Sequence, residues 1–396
     1  MPKIIGLNDN RILTDSEFAM VCKFCDILAA IAKAAPAGQD TGGKWWGESS
    51  SNPAMTGILG KDRSLIDHSI LLDTRFRDFP TIAYDMDGVA DRPDYHLRRY
   101  MRLKNALPER WHVKPPRGFG EIGWNVGGYP VNRHSMIMQE RVSGMYLLGA
   151  LDRLSRQSSP VVLEIGPGAG ELAETMCRAL PACTWINCDL TESLIHSTMH
   201  LAVWQPQRRH FIYAGGEGLP ENIDLKLVLR TAADVVAARG AVISVPSYLL
   251  AELTDHLKVD LALNFWSFGE MGGDIIDGYA SALAKMLGSN GALVEQNNDD
   301  LNAGAGKPKT VLARHFASRY EASFYLTRPP VAGGLDLWTN RAESEVMAAW
   351  RNRPETWPLD RASRRRVIKS FDDHDDAIDF EYSAEMWDRL KHYGLR

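Results

Sequence analysis

The 396-residue sequence has no run of the roughly 18 consecutive apolar residues that a membrane-spanning helix needs. Its N-terminal stretch, MPKIIGLNDNR, has no apolar core of the kind a signal peptide carries, so the cytoplasm is the expected compartment. There is no basic excess: 45 Lys and Arg stand against 50 Asp and Glu, a net charge of −5. This excludes a general nucleic-acid binder. Cysteine is sparse, with an odd count of 5, which argues for reduced thiols rather than a disulfide framework. Cys22 and Cys25 form a lone C-x-x-C without a second pair or nearby histidines at zinc-ligand spacing. The surrounding run, EFAMVCKFCDILAAIAKAA, reads as an amphipathic helix with its cysteines buried. Internal repeats and low-complexity tracts are absent too. What is present is an ordinary globular composition, 45% hydrophobic and 24% charged, over a length that suits two or three domains.

The pattern divides the chain into three parts. Residues 1–135 read as a mainly helical cap for substrate recognition, interrupted by a Gly/Ser/Asn-rich loop over 38–63 and a Pro/Gly-rich patch over 115–130. MIMQERVSGMYLLGALDRL, at 136–154, reads as a helix that leads into a core over 136–340. In that core, VVLEI (161–165), TWINCD (184–189), AVISVP (241–246), VDLALNFW (259–266) and ALVEQN (292–297) read as strands. Helical segments lie between them at 171–180, 192–204 and 274–287. Such alternation predicts an α/β fold with a doubly wound, mostly parallel Rossmann-like sheet. YEASFYL (320–326) and LDLWTN (335–340) predict an antiparallel strand pair at its end. Residues 341–396 read as a charged, helical extension.

Chemistry concentrates after the first strand. Glu164-Ile165-Gly166-Pro167-Gly168-Ala169-Gly170 joins that strand to a helix. Alternate glycines let the backbone turn tightly and approach a ligand closely, and the helix start offers unpaired N–H groups. The spacing is G-x-G-x-G, not the G-x-G-x-x-G of dinucleotide enzymes. Asp189 ends the second strand, 23 residues beyond Gly166, where an acid accepts hydrogen bonds from ribose hydroxyls in nucleoside-cofactor folds. The plainer structural readings are a helix-capping or surface carboxylate for Glu164 and a helix N-cap for Asp189, roles compatible with cofactor binding.

LEIGPGAG and the CDL at 188–190 resemble the first two motifs of class I S-adenosylmethionine-dependent methyltransferases. The resemblance covers about residues 160–340. DLALNFWSFGEM (260–271) and EQN (295–297) are further similar to sugar O-methyltransferases. It implies that Gly166, Gly168 and Gly170 approach the cofactor's methionyl and ribosyl parts. Glu164 would orient that loop or reach the cofactor amine. Asp189 would hold the ribose, Leu190 would pack on adenine, and Ser247, Tyr248 and Leu249 would line the adenine site. Asn264 and Phe265 would lie near the transferred methyl.

The implied reaction is methyl transfer from S-adenosylmethionine to a hydroxyl of a small molecule, a sugar or glycosylated natural product. Alternatives are N- or O-methylation of a non-sugar metabolite, and a non-catalytic cofactor-binding subunit. A hydroxyl acceptor calls for a general base. Glu270 of SFGEM and His134 of GGYPVNRHSM are the candidates, with His256 on the wrong end of its strand. Asn298, Asp299 and Asp300 would suit magnesium with Glu270, against the plainer reading of a polar loop. Arg92, Arg98, Arg99, Arg102, Lys104, Arg110, Lys114 and Arg117 make a basic stretch that fits either a phosphate or carboxylate of the substrate or a solvated face. Trp111, Trp124 and Trp266 offer ring-binding faces or core packing. No nucleic-acid or membrane partner is expected, and a homo-oligomer is left open.

Overall fold

The computed structural model describes residues 4–5, 12–35, 60–68, 95–115, 123–297, 299, 306–322 and 335–341, apart from positions 106 and 217. The extension expected beyond residue 341 lies outside the described residues, as does most of the 38–63 loop. The described residues fall into two compact units. One holds those up to Leu13 and between Ile66 and Ser143. The other holds those between Thr14 and Leu65 and from Gly144 onward. Among the described residues no helix is long and apolar enough to cross a membrane.

The first unit contains a small antiparallel sheet, β1 (Ile4–Ile5), β2 (Gly123–Val126) and β3 (Tyr129–Val131), in that order. β2 and β3 form a hairpin from the end of the Pro/Gly-rich patch. Gly127 and Gly128 have φ of 62° and 95°, the left-handed pair that a tight hairpin turn requires. Asn125 Oδ1 accepts from the Gly128 N–H at 2.9 Å. Helix α3 (Tyr95–Asn105) carries part of the basic stretch. Arg99 there pairs with Glu140 at 3.3 Å, both nearly buried.

The second unit is built on a nine-stranded sheet. Its strands are β4 (Val161–Ile165), β5 (Thr184–Asp189), β6 (His210–Tyr213), β7 (Val228–Leu229), β8 (Val242–Pro246), β9 (Leu261–Phe265), β10 (Ala292–Gln296), β11 (Ser318–Ala322) and β12 (Leu335–Thr339). Their spatial order is β11-β12-β10-β9-β4-β5-β8-β6-β7. All neighbours are parallel except β10–β12 and β11–β12. β4, β8, β9 and β10 are buried at every position, as mainly apolar strands covered on both faces should be. The fold is therefore α/β, with a doubly wound sheet and an antiparallel pair at one edge, as expected. β6 and β7 extend the other edge. They come from the stretch between 204 and 241, which carries no strand pattern in the sequence.

The chain leaves β4 toward β5 and β8 on one side and returns to β9 and β10 on the other. The switch point is thus the gap between β4 and β9, where ligands bind at the carboxyl ends in such sheets. Helix α6 (Glu171–Ala179) follows β4, α7 (Thr191–Trp204) follows β5, and α10 (Gly273–Leu287) precedes β10. The helix expected over 136–154 is broken. α4 (Arg133–Leu148) ends at Gly149, whose φ of 86° stops it, and α5 (Ala150–Ser155) restarts the chain.

Helix α1 (Asp15–Ala34) belongs to the sheet unit, unlike the cap in which the sequence pattern groups it. It packs on α7 and β6, with Phe24 edge-on to His210 at 6.5 Å. Thr14 and Glu17 form a capping box at its start. Cys25 is fully buried on it, and burial pushes its thiol up to about 12, while Cys22 is half-buried.

Candidate active site at the carboxyl ends of β4 and β9

The glycine-rich loop leaves β4 with Gly166, Gly168 and Gly170 all at positive φ, 72°, 57° and 88°. Gly166 N–H donates to the Cys188 carbonyl at 2.9 Å, which ties the loop to the end of β5. The three glycines have different surroundings. A Cβ on Gly166 would fall 2.5 Å from the Cβ of Ser267. One on Gly170 would meet Leu201 at 3.1 Å, against α7. One on Gly168 would meet nothing within 4 Å. The outer two are therefore packed by protein, and the middle one faces open space. His200, fully buried on α7, contacts the Ala169 carbonyl through Nδ1 at 2.9 Å and stacks on Trp204 at 4.8 Å. It braces the loop, a role that no sequence motif signals.

Glu164, the next-to-last residue of β4, is buried at 3% exposure and stands in register with Asn187 and Leu263. That excludes the surface-carboxylate reading. Asp189, half-buried, ends β5, and its Oδ1 accepts from the Leu190 N–H at 2.8 Å. The N-cap of α7 is Leu190, without a side-chain bond, so Asp189 is not the cap of that helix. Leu190, Ser247 and Tyr248 are half-buried at neighbouring strand ends. Leu249 is 3% exposed and belongs to the apolar core with Val245 and Leu253, because the short helix after β8 turns it inward.

The end of β9 is unusual. Trp266 has a φ of 74°, a left-handed conformation that a bulky residue rarely adopts. Its N–H donates to the Gln296 carbonyl at 3.0 Å, and its own carbonyl accepts from Gly269 N–H at 2.9 Å. Both backbone groups are thus held while the indole stays 38% exposed. Trp111 and Trp124, at 0% and 5%, are core residues. Glu270 ends the 3-10 turn Ser267–Glu270 and is exposed. Phe265 is buried at 6%.

Asn264 is fully buried and its amide is fully engaged. Nδ2 donates to the Ile165 carbonyl at 3.1 Å and to Ser267 Oγ at 2.6 Å. Oδ1 accepts from Phe268 N–H at 3.1 Å and from Asn297 Nδ2 at 2.9 Å. It links the end of β4, the turn after β9 and Asn297. Asn297 in turn donates to Glu295, which is fully buried beside Asp336 on β12. Burial first, and the Asp336 carboxylate next, push the Glu295 carboxyl up to about 8. Lys309 and Arg319 reach Asp336 at 2.6 and 2.9 Å.

His134 is half-buried in the first turn of α4, in the other unit. His256 is exposed in the turn before β9, at its amino end. Asp299 accepts from Lys309 N–H at 2.8 Å, Thr310 N–H at 3.2 Å and Thr310 Oγ1 at 2.7 Å, so its carboxylate caps helix α11 (Pro308–Leu312). Asn298 and Asp300 lie outside the described residues. Among the described residues no three His, Cys, Asp or Glu side chains are grouped to hold a metal ion. In the basic stretch, Lys114 pairs with Glu109 at 2.8 Å, while Arg110 and Lys104 lie over the rings of Trp111 and Tyr129.

The fold is Rossmann-like, with its glycine loop and acidic strand end at the switch point. No protein-family model matches the chain, and neither does any curated protein sequence. Solved structures similar to part of it include three methyltransferases. An O-methyltransferase family protein from Burkholderia thailandensis is 12% identical over 53% of this chain and 60% of that one, with a TM-score of 0.32. N-methyltransferase NodS from Bradyrhizobium japonicum WM9, in complex with S-adenosyl-L-homocysteine, is 16% identical over 51% of this chain and 87% of its own, with a TM-score of 0.32. O-methyltransferase TomG from Streptomyces achromogenes, in complex with S-adenosylmethionine, is 15% identical over 49% and 77%, with a TM-score of 0.30. The match spans less than two thirds of the Burkholderia chain's own length.

Proposed function

We propose that this protein transfers a methyl group from S-adenosylmethionine to a hydroxyl of a small ring-bearing molecule, a sugar or a glycosylated natural product. One observation carries the reading: the loop after β4 is packed at Gly166 and Gly170 but open at Gly168, beside Asp189 at the end of β5. That arrangement fits a nucleoside cofactor lying across the strand ends. Gly168 would let the backbone approach the cofactor, and Asp189 would accept from its ribose hydroxyls. Ser247 and Tyr248 would border the adenine, and Glu164 would orient the loop from beneath. The cofactor supplies an electrophilic methyl on its sulfonium.

The chain's own residues would then align the acceptor and take its proton. Glu270, exposed on the turn after β9, is the proposed base, since an alcohol is a poor nucleophile while protonated. The exposed Trp266 indole offers an apolar face to a ring of the acceptor. Recognition of the acceptor is assigned to residues 1–135, helix α1 excepted.

Titration calorimetry with S-adenosylhomocysteine tests the cofactor site. Micromolar affinity, about −8 kcal/mol, is expected. Absence of binding by the folded protein would overturn the reading. With binding in hand, a one-methyl mass gain on hydroxylated sugar acceptors, set against amine and non-sugar ones, tests the acceptor class.

A further inference from the structure

We propose that Asn297 is a positioning residue that holds the acceptor-side wall, Trp266–Glu270, in register with the cofactor loop. The inference rests on the methyl-transfer reading above and goes beyond it, by assigning a role to a residue that touches neither ligand. Asn297 follows β10 and is 1% exposed. Its Oδ1 accepts from Gly269 N–H at 3.0 Å. Its Nδ2 donates to Asn264 Oδ1 at 2.9 Å and to Glu295 Oε2 at 2.8 Å. The Gly269 backbone N–H only donates, so the amide atom facing it must be Oδ1, and that fixes the amide's orientation.

Asn264 is fixed by the same logic. It must donate to the Ile165 carbonyl and accept from Phe268 N–H. Together the two asparagines grip Ser267, Phe268 and Gly269 and also the last residue of β4, from which the glycine loop departs. Gly269 N–H is shared between Asn297 Oδ1 and the Trp266 carbonyl. The strained Trp266 conformation is therefore overdetermined, the condition under which such strain persists. Glu295 anchors the chain of bonds deep in the sheet, where Trp338 Nε1 also donates to it at 3.2 Å. A buried polar network satisfied to this degree specifies one geometry. Misplacement of about 1 Å at a reacting site is enough to cost on the order of 100-fold in rate.

The test uses the full chain labelled with 5-fluorotryptophan, with the Trp266 resonance assigned by Trp266→Phe. In the wild type, S-adenosylhomocysteine is expected to bind and to shift that resonance. Asn297→Asp keeps an acceptor for Gly269 but sets oxygen against oxygen toward Asn264 and loses the N–H donated to Glu295. Asn297→Ser removes the reach without adding charge and serves if the aspartate variant does not fold. In either, the Trp266 response is expected to vanish while affinity for S-adenosylhomocysteine stays within about threefold. A response that persists in both folded variants would overturn the inference alone. Loss of binding in the folded variants would overturn it too, by making Asn297 a cofactor-site residue. Failure of the wild type to bind would bring down the functional reading first, and this inference with it.

Discussion

Gly166 and Ser267 meet across the gap between β4 and β9, and the space between them holds no methyl group. A Cβ at 166 would lie 2.5 Å from the serine Cβ, and φ there is already 72°. Gly166→Ala is expected to destabilise the protein by about 1–3 kcal/mol, from left-handed strain and the collision together. Gly166→Ala combined with Ser267→Gly should recover the collision part but not the strain. Chemical denaturation of the single and double variants measures both. Because Ser267→Gly alone loses the bond from Asn264, the contact is read from the cycle, and an equal cost of Gly166→Ala in the wild type and in Ser267→Gly would refute it.

Gly168 makes the opposite case. It has a positive φ of 57° but an open surround. Gly168→Ala should cost only the strain, about 1 kcal/mol of stability. Its methyl would stand where the cofactor is proposed to approach, so S-adenosylhomocysteine affinity should fall by about tenfold or more, near 1.4 kcal/mol per decade. Unchanged affinity in calorimetry would move the cofactor off this loop.

Much of this architecture could be read along the chain. VVLEI, LALNF and ALVEQ are buried on both faces, so burial itself writes them as mainly apolar runs, interrupted by Glu164, Asn264, Glu295 and Gln296. β6 and β7, with 4 and 2 residues, are too short for any period to emerge, and the hairpin at 123–131 hides among glycines and prolines. The glycines and Asp189 stood out because their chemistry is local. The role of Asn264 could not, because its partners at 165, 268 and 297 come together only through the parallel register of β4, β9 and β10. Leu249 looked like a site residue by position, yet the turn after β8 puts it in the core.

Asp189 offers a separation of binding from stability. Helix α7 begins without a side-chain cap, so Asp189→Asn removes no capping bond. Thermal stability should change little, while S-adenosylhomocysteine affinity should drop by about 10- to 100-fold, as for a hydrogen bond to a charged acceptor. A large fall in melting temperature with unchanged affinity would assign the carboxylate a structural role instead.

Glu295 sets a pH dependence whose sign can be worked out. Burial, then Asp336, raise its carboxyl in the folded protein to about 8 from 4.5. The native state thus holds a proton that the unfolded chain releases. The associated stability is fully present below about pH 4.5 and is lost as pH rises toward 8, beyond which it changes no further. Glu295→Gln removes that titration. Calorimetric melting between pH 5 and pH 8 should show the wild type losing stability with rising pH more steeply than the variant. Parallel slopes would mean that Glu295 does not titrate in this window.

Glu270 carries the chemical half of the functional reading. It is exposed on the Ser267–Glu270 turn, which Asn264 and Asn297 hold through Phe268 and Gly269 rather than through the carboxylate. Glu270→Gln keeps the size of the side chain while removing its charge and its ability to accept a proton. S-adenosylhomocysteine affinity should be unchanged, and turnover on a hydroxyl acceptor should fall by about 100- to 10,000-fold, the usual contribution of a general base. An acceptor whose hydroxyl is already acidic needs less help, so the same variant should lose less on a phenol than on a sugar. Equal losses on both would mean that Glu270 orients the acceptor without taking its proton, and full activity on both would place the base elsewhere.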